Sequence, residues 1–268
     1  VEELYPNMAV LSQLANYLED PNSSLEDVAR LIRSEPALTV DIIKISNSSF
    51  YAATQSCSDV DTALTRIGFN EVLRVVALIL AKDLCSNDLE KYGISANELW
   101  EESLMVSLLM EELAMASHLN KSKAATFGLL HAVGKVVINN ILEDFCVDIY
   151  WDPTIPVSEW EIAVVGFHHG EAGSRLLKRM EFPPDAQRII KHQLNPEKTH
   201  NPDKLTYLLC YSHTLARALG PSFSNIEYKL PSFDWKEDII PLEDEEITSL
   251  VCNAKERFNE ITREVFSE

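Results

Sequence analysis

The chain carries the sequence GLLHAVGKVV at residues Gly128–Val137, inside an apolar stretch that covers residues 123–142. Apolar side chains stand on nearly all sides of this stretch, a pattern typical of a helix that runs through the centre of a bundle. Residues 98–118 have the same pattern. We therefore predict two buried helices, and we expect His131 to be a core residue with a polar hydrogen-bond partner.

The rest of the chain has the same helical periodicity. Apolar residues recur every three or four positions, and breaks that contain Pro or Gly separate the segments. With 8 Gly and 12 Pro in 268 residues, of which 46% are hydrophobic, the composition does not favour a disordered or turn-rich all-β chain. The sequence predicts an all-α, multi-helix bundle. In its final amphipathic helix we expect Val251 and Phe258 to be buried.

Local signals mark several helix ends. Ser24 and Asp27 have the spacing of a capping box, so we expect a helix to begin there. Gly68 is suited to end a short helix that begins near Asp61, because glycine accepts a positive φ.

Charge and cysteine content limit the function. Forty-two acidic residues against 23 basic ones give a net charge of −19, which argues against a broad nucleic-acid or anionic-membrane surface. The five cysteines form no C-x-x-C pair, which is typical of reduced thiols in a cytoplasmic protein. No uncharged run reaches about 18 residues, so we expect no transmembrane helix.

Three common enzyme signatures are missing. The sequence contains no GxxxxGK[ST], no GxGxxG and no GxSxG. The usual sequence evidence for a nucleotide-binding P-loop, a dinucleotide-binding fold or a nucleophile-elbow hydrolase is therefore absent.

Short motifs occur in an order that resembles the HDOD family, the HD-related output domains of the HD phosphohydrolase superfamily. Family members typically carry GLLHDIGKLVL where this chain has Gly128–Val137. The resemblance covers about residues 4–219 and implies an all-α fold. The other matching segments are Asp20–Glu26, Glu35–Leu38, Ser46–Tyr51, Asp61–Gly68, His169–Gly173 and Ile190–His192.

The resemblance also implies where a metal site would fall. Hydrolytic relatives hold one or two divalent metals with several His residues, an adjacent His-Asp pair and a late Asp. The corresponding positions here are Glu102, His131, Ala132, His169, His192 and His213. Because Ala132 has no ligating atom and His213 replaces the late carboxylate, we expect no catalytic residue, no metal and no cofactor. The alternative is that the polar members converge and bind a metal or a small ligand.

Each of these residues also has a plain structural interpretation. Glu101 and Glu102 fit a solvated helix face, and Lys135 fits an exposed or ion-paired position. His168 and His169 fit a loop or the start of a helix. We expect His192 and His213 to have structural or surface roles.

The resemblance implies a non-catalytic output or scaffold module of bacterial signal transduction that works through protein contacts. The alternatives are a metal-dependent phosphohydrolase of nucleotides or cyclic dinucleotides, and a small-ligand or nucleotide sensor. We expect an N-terminal helical lobe at residues 1–90, an HD-like lobe at 91–220 and an acidic extension at 221–268. Because the chain starts at Val1, an upstream receiver domain is one candidate partner, and a second copy of the chain is another.

Overall fold

The computed structural model describes residues 6–47, 56–199, 203–224 and 228–264. The chain is 72% helical, and no described residue lies in a strand, which confirms the predicted all-α fold. The α-helices in this part of the chain are α1 (Pro6–Glu19), α2 (Leu25–Arg33), α3 (Pro36–Ser46), α4 (Val60–Ile67), α5 (Phe69–Leu84), α6 (Ala96–Ala116), α7 (Lys121–Leu130), α8 (Val133–Asp144), α9 (Val157–Val165), α10 (His169–Arg179), α11 (Pro184–His192), α12 (Lys204–Ala218), α13 (Lys236–Ile239) and α14 (Asp244–Glu264).

The predicted signals at helix ends are present. The side chain of Ser24 accepts a hydrogen bond from the backbone N–H of Asp27, and the carboxylate of Asp27 accepts one from the backbone N–H of Ser24. Gly68 has a φ of +88° between α4 and α5. The motif Ser46–Tyr51 lies partly outside the described residues, but Asn47 forms hydrogen bonds of 2.8 Å to both the N–H and the carbonyl of Cys57.

Helix α6 runs through the centre of the bundle, as its all-round apolar sequence predicts. Its side chains are buried almost continuously from Ser103 to Ala114. It packs against α7, α12 and α14. This position brings residues of α6 close to three different parts of the chain.

The prediction of one helix over residues 123–142 is wrong. The chain turns at His131 and Ala132, which separate α7 from α8. The physical reason is that the two halves pack on different partners, α7 on α6 and α8 on α10. At the second contact α8 approaches so closely that a Cβ on Gly134 would stand 1.8 Å from the carbonyl oxygen of His169.

The expectation of no transmembrane helix stays a prediction. The stretch Lys121–Asp144 is long and apolar enough to cross a membrane by length and composition alone. However, 83% of its most apolar window is buried inside the fold, as in a core helix.

The C-terminal segment packs on the helical body. Val251 and Phe258 of α14 are 1% and 8% exposed, as predicted. Arg257 donates to the carboxylates of Glu111 at 2.8 Å and Glu112 at 3.1 Å, which joins α14 to α6. The division at residues 90 and 220 stays a prediction, and buried apolar residues of all three segments belong to one hydrophobic cluster.

Candidate functional site

The structure brings three of the predicted site residues together. Glu102 comes from α6, His131 from the turn before α8, and His213 from α12. One ligating atom of each lies within 4.8 Å of the others. The ring centroids of the two histidines are 5.1 Å apart. Thus the convergence that we considered as an alternative occurs for these three residues.

His131 is a buried, neutral imidazole. Its side chain is fully buried, and its Nδ1 lies 2.8 Å from the carbonyl oxygen of Gly128. Because a carbonyl only accepts, this contact places the ring proton on Nδ1 and leaves the Nε2 lone pair without a hydrogen-bond partner. The pKa of His131 is lowered to about 3. Burial is the largest cause, and the neighbouring His213 is the second. Ala132, the next residue, is buried and supplies no ligating atom.

The solvated face predicted for Glu102 is wrong. Its side chain is 21% exposed, and its Oε1 lies 3.3 Å from Nε2 of His213. The alignment of this contact is too poor for a hydrogen bond. Lys135 is buried, and its Nζ lies 3.7 Å from Oε2 of Glu102. Burial alone would raise the pKa of Glu102, but the positive charge of Lys135 and the contact with His213 hold that pKa well below its usual value.

His169 starts α10 and faces a residue that the sequence analysis missed. The carboxylate of Glu161, on α9, accepts hydrogen bonds from the backbone N–H and from Nδ1 of His169, both at 2.8 Å. The hydroxyl of Tyr92 donates to the same carboxylate at 2.9 Å. Burial lowers the pKa of His169 in spite of this carboxylate. The available signal was an acidic residue between two large apolar residues, Trp160 and Ile162.

His192 does not join the cluster. It is half-buried at the end of α11, and within the described ranges we find no hydrogen bond or ion pair that links it to Glu102, His131 or His213. Gln193, the next residue in the chain, does contact the site. Its side-chain amide donates a hydrogen bond to the carbonyl oxygen of His131 at 2.9 Å.

A surface groove of about 550 Å³ adjoins the cluster at Glu102. It lies between the first turns of α6 and the end of α12. Its lining includes Asn97, Glu98, Glu101, Glu102, Trp151 and Arg217. Glu102 is the member of the cluster that lines this groove.

Comparisons with known proteins agree with this architecture. A family model described as the HDOD domain matches residues 4–196. The structure of an HDOD domain protein of unknown function from Geobacter sulfurreducens has a TM-score of 0.72 at 20% identity, with 97% of this chain and 92% of that one covered. A candidate signal transduction protein from Marinobacter aquaeolei has the same TM-score and identity, with 97% and 58% covered. A candidate metal-dependent phosphohydrolase from Shewanella amazonensis has a TM-score of 0.61 at 18% identity, with 93% and 90% covered.

A curated relative is an uncharacterized protein of Treponema pallidum, 25% identical over 191 residues. The alignment covers 69% of this chain and 36% of the relative, so the relative is considerably longer. The described helices define an all-α, multi-helix domain. Within that class, the match over residues 4–196 shows that the chain belongs to the HDOD family.

The HD superfamily implies a divalent metal, and the ligating atoms of Glu102, His131 and His213 lie close enough together to hold an ion, with fewer carboxylates than the resemblance implies for a hydrolytic centre. Glu102 is the single carboxylate among the three residues whose ligating atoms converge. Its negative charge is already balanced by the buried ammonium of Lys135. Burial lowers the pKa values of His131 and His213, so both imidazoles are neutral, which is the form that binds metal but supplies no negative charge. A divalent cation would therefore bring two uncompensated charges into a mostly buried site.

Proposed function

We propose that this chain is a non-catalytic signal-transduction module of the bacterial cytoplasm that works through protein contacts. Its family membership and its structural similarity to a candidate signal transduction protein fit a signalling module. The division into residues 1–90, 91–220 and 221–268 is part of this proposal.

The observation that carries the proposal is a set of exposed apolar side chains concentrated in one stretch of the chain. Five of the seven large hydrophobic residues found exposed in the described chain lie between positions 145 and 162. We call this set the 145–162 surface, and its members are Phe145, Ile149, Tyr150, Ile155 and Ile162. Phe145 is 78% exposed. Exposed apolar groups concentrated in this way are typical of protein interaction sites.

The charges around this surface favour a particular kind of partner. Every charged residue from Glu143 to Ile162 is acidic, although Glu161 is buried and the ammonium of Lys91 lies 4.6 Å from the ring centroid of Tyr150. A partner that presents apolar side chains flanked by Lys and Arg would match both properties, because complementary charge speeds association and rejects acidic competitors. The acidic segment supports binding to protein more than binding to nucleic acid, whose phosphates it would repel.

A comparative capture experiment tests the proposal. The parent, a Phe145→Ser/Ile149→Ser variant and a Val40→Ser control would each be used to capture proteins from the native bacterium. Val40 is 63% exposed on α3, far along the chain from the 145–162 surface. We expect a specific protein that the parent and the control retain and that the double variant loses. Identical protein sets for all three would contradict the proposal.

One observation favours the hydrolase alternative. Nδ1 of His131 contacts a carbonyl and Nδ1 of His169 contacts a carboxylate, and these are the contacts that orient metal-binding histidines. The alternative requires one equivalent of Mn, Fe or Zn in the purified protein and phosphodiesterase activity that His131→Ala abolishes. The ligand-sensor alternative is favoured by the groove at Glu102, and it requires a nucleotide or cyclic dinucleotide that raises the melting temperature.

A further inference from the structure

A small cavity lies where four helices meet. It has a volume of about 60 Å³ and lies between α1, α5, α7 and the start of α11. The three converging residues of the candidate site are not among the described residues that line it. Its walls consist mainly of buried apolar side chains, which are Ala15, Leu73, Phe127, Phe182, Pro183 and Ala186.

The polar side chains inside the cavity use their donors within the chain. The hydroxyl of Thr126 donates to the carbonyl oxygen of Ser122 at 2.9 Å. The hydroxyl of Ser122 donates to the carboxylate of Glu71, also at 2.9 Å. Because an ordered internal water needs about two to four polar partners, such a space favours an apolar group over water. The cavity therefore suits a short alkyl group.

Three charged side chains stand at the open end of the cavity. The ammonium of Lys123 donates to the carboxylate of Glu19 at 2.7 Å and forms an ion pair with Asp185. The side chains of Lys123, Glu19 and Asp185 are 29%, 44% and 23% exposed, so solvent reaches all three. One positive charge faces two negative charges, which leaves a surplus of one carboxylate at the mouth.

The helix ends beside the mouth do not reverse this balance. Helices α7 and α11 begin there, but the side chain of Asn120 accepts from the backbone N–H of Lys123 at 3.0 Å, and Asp185 accepts from the backbone N–H of Ala186 at 2.8 Å. Glu19 is the last residue of α1, at the negative end of that helix. The mouth therefore favours a cation over an anion.

We propose that this cavity binds a small primary alkylammonium compound, with its alkyl group among the apolar walls and its ammonium at the carboxylates of Glu19 and Asp185. An ammonium has three donors and no acceptor, so it matches two carboxylates that share a single lysine. Because the cavity joins α1 and α5 to α7 and α11, the bound compound would stabilise the packing of helices that are distant in sequence. The proposal goes beyond the contact function of the 145–162 surface and does not depend on it.

The surroundings of the mouth favour a free small molecule over a lysine of a protein partner. None of the seven large hydrophobic residues found exposed in the described chain lines the cavity. A protein that inserted a lysine would need further contacts around the mouth, and protein interaction sites are typically marked by concentrated exposed apolar groups.

The test is a nuclear magnetic resonance titration with three probes of equal carbon count but different charge. The probes are n-butylammonium, which is positive at about pH 7 as a lysine is, neutral 1-butanol and negative butanoate. The methyl signals of Ala15, Leu73 and Ala186 report occupation of the cavity. We expect n-butylammonium to shift these signals to saturation. Its affinity should be about tenfold above that of butanoate, since the surplus carboxylate attracts the one and repels the other.

Four variants test the apolar walls and the charged mouth separately. Ala186→Val fills the cavity and should abolish binding of all three probes. Asp185→Asn removes the surplus carboxylate and should lower the preference for n-butylammonium over butanoate by about threefold or more. Lys123→Met removes the competing ammonium and should raise the affinity for n-butylammonium by about tenfold. Glu245→Gln removes an exposed carboxylate of α14 and should behave as the parent does.

Three results would overturn the proposal. The first is a parent whose three methyl signals do not respond, or respond to n-butylammonium no more tightly than to the other two probes. The second is binding that persists in a folded Ala186→Val variant with parental circular dichroism. The third is tighter binding of Nα-acetyllysine methylamide than of n-butylammonium, which would assign the cavity to a lysine of a protein.

The test does not depend on any single variant. If Ala186→Val does not fold, Ala15→Val replaces it. If neither variant folds, the response of the parent to the three probes decides: a preference for n-butylammonium supports the proposal, and its absence overturns it. None of these results depends on the capture experiment for the 145–162 surface.

Discussion

The carboxylate of Glu161 accepts hydrogen bonds from both the backbone N–H and the ring Nδ1 of His169, each at 2.8 Å. A carboxylate that accepts from Nδ1 fixes the ring proton there and turns the Nε2 lone pair away. Although burial alone raises the pKa of Glu161, its bonds with His169 and Tyr92 lower that pKa below the usual value. Glu161 thus holds the first residue of α10 in one orientation.

We predict that Glu161→Gln lowers the free energy of unfolding by about 2–3 kcal/mol, because a neutral amide cannot accept all three hydrogen bonds and its NH₂ group faces donors. Urea denaturation followed by circular dichroism measures the change. Glu159→Gln, on the exposed side of the same helix, should stay within about 0.5 kcal/mol of the parent. Equal stability of both variants would mean that the Glu161 contacts do not hold α10.

The close approach of α8 and α10 provides a second prediction. Gly134→Ala would place a Cβ 1.8 Å from the carbonyl oxygen of His169, and a backbone atom cannot move aside as a side chain can. We expect a loss of about 3 kcal/mol or more. At Gly173 the nearest atom to an added Cβ is a side-chain carbon of Ile190 at 2.9 Å, so Gly173→Ala should cost less. A reversed order of melting temperatures would contradict the packing of these helices.

The sequence predicts the helical architecture because periodicity is a local pattern, whereas Glu102, His131 and His213 were named as site positions through the resemblance to the HDOD family. Periodicity locates α6, and the family motif locates His131. The break at His131–Ala132 was not predictable in this way, since it depends on the packing of α8 on a helix that comes later in the chain. The pairing of Glu161 with His169 and Tyr92 is a tertiary contact, with Tyr92 separated from Glu161 by 69 positions.

The junction between α14 and α6 provides a third prediction. Arg257 donates to Glu111 and Glu112, whose side chains are only 4% and 6% exposed. We expect Arg257→Met to lower the free energy of unfolding by about 3 kcal/mol, because it leaves buried negative charge with less compensation. Adding Glu111→Gln should recover part of this loss. Additive effects of the two substitutions in urea denaturation would show that the pair is not coupled.

The buried histidines make stability depend on pH. Burial lowers the pKa of His131 to about 3, whereas an unfolded chain has a histidine pKa of about 6.5. Between these two values the unfolded chain binds a proton that the folded chain does not, so the free energy of unfolding decreases as the pH falls. The contribution of His131 to the free energy of unfolding is fully present above about pH 6.5. Below that pH, its loss approaches about 1.4 kcal/mol per pH unit.

Urea denaturation at about pH 7.5, 6.5 and 5.5 measures this slope, and the reference is His131→Gln, which cannot bind a proton in this range. The parent should lose stability more steeply than the variant below about pH 6.5. Burial also lowers the pKa of His169 and of His213, so the variant should keep a smaller slope of the same sign. Parallel slopes would show that His131 is not held neutral in the folded chain.

The last prediction restores the metal site. The triple variant Glu102→His, Ala132→Asp and His213→Asp removes one carboxylate and adds two. The parent pocket is neutral when Glu102 and Lys135 are counted, whereas the triple variant carries one net negative charge. Ala132 lies directly before α8, where the positive end of the helix dipole also favours a carboxylate. We therefore expect Mn²⁺ to bind the triple variant about tenfold or more tightly than it binds the parent, because carboxylates neutralise a hard cation.

Glu102→His alone is the matched control. It leaves Lys135 without its counter-charge, so it should bind Mn²⁺ no better than the parent does. Titration followed by the electron paramagnetic resonance signal of free Mn²⁺ distinguishes the three proteins. A folded triple variant with parental Mn²⁺ affinity would show that positions 102, 132 and 213 do not form one metal-binding pocket.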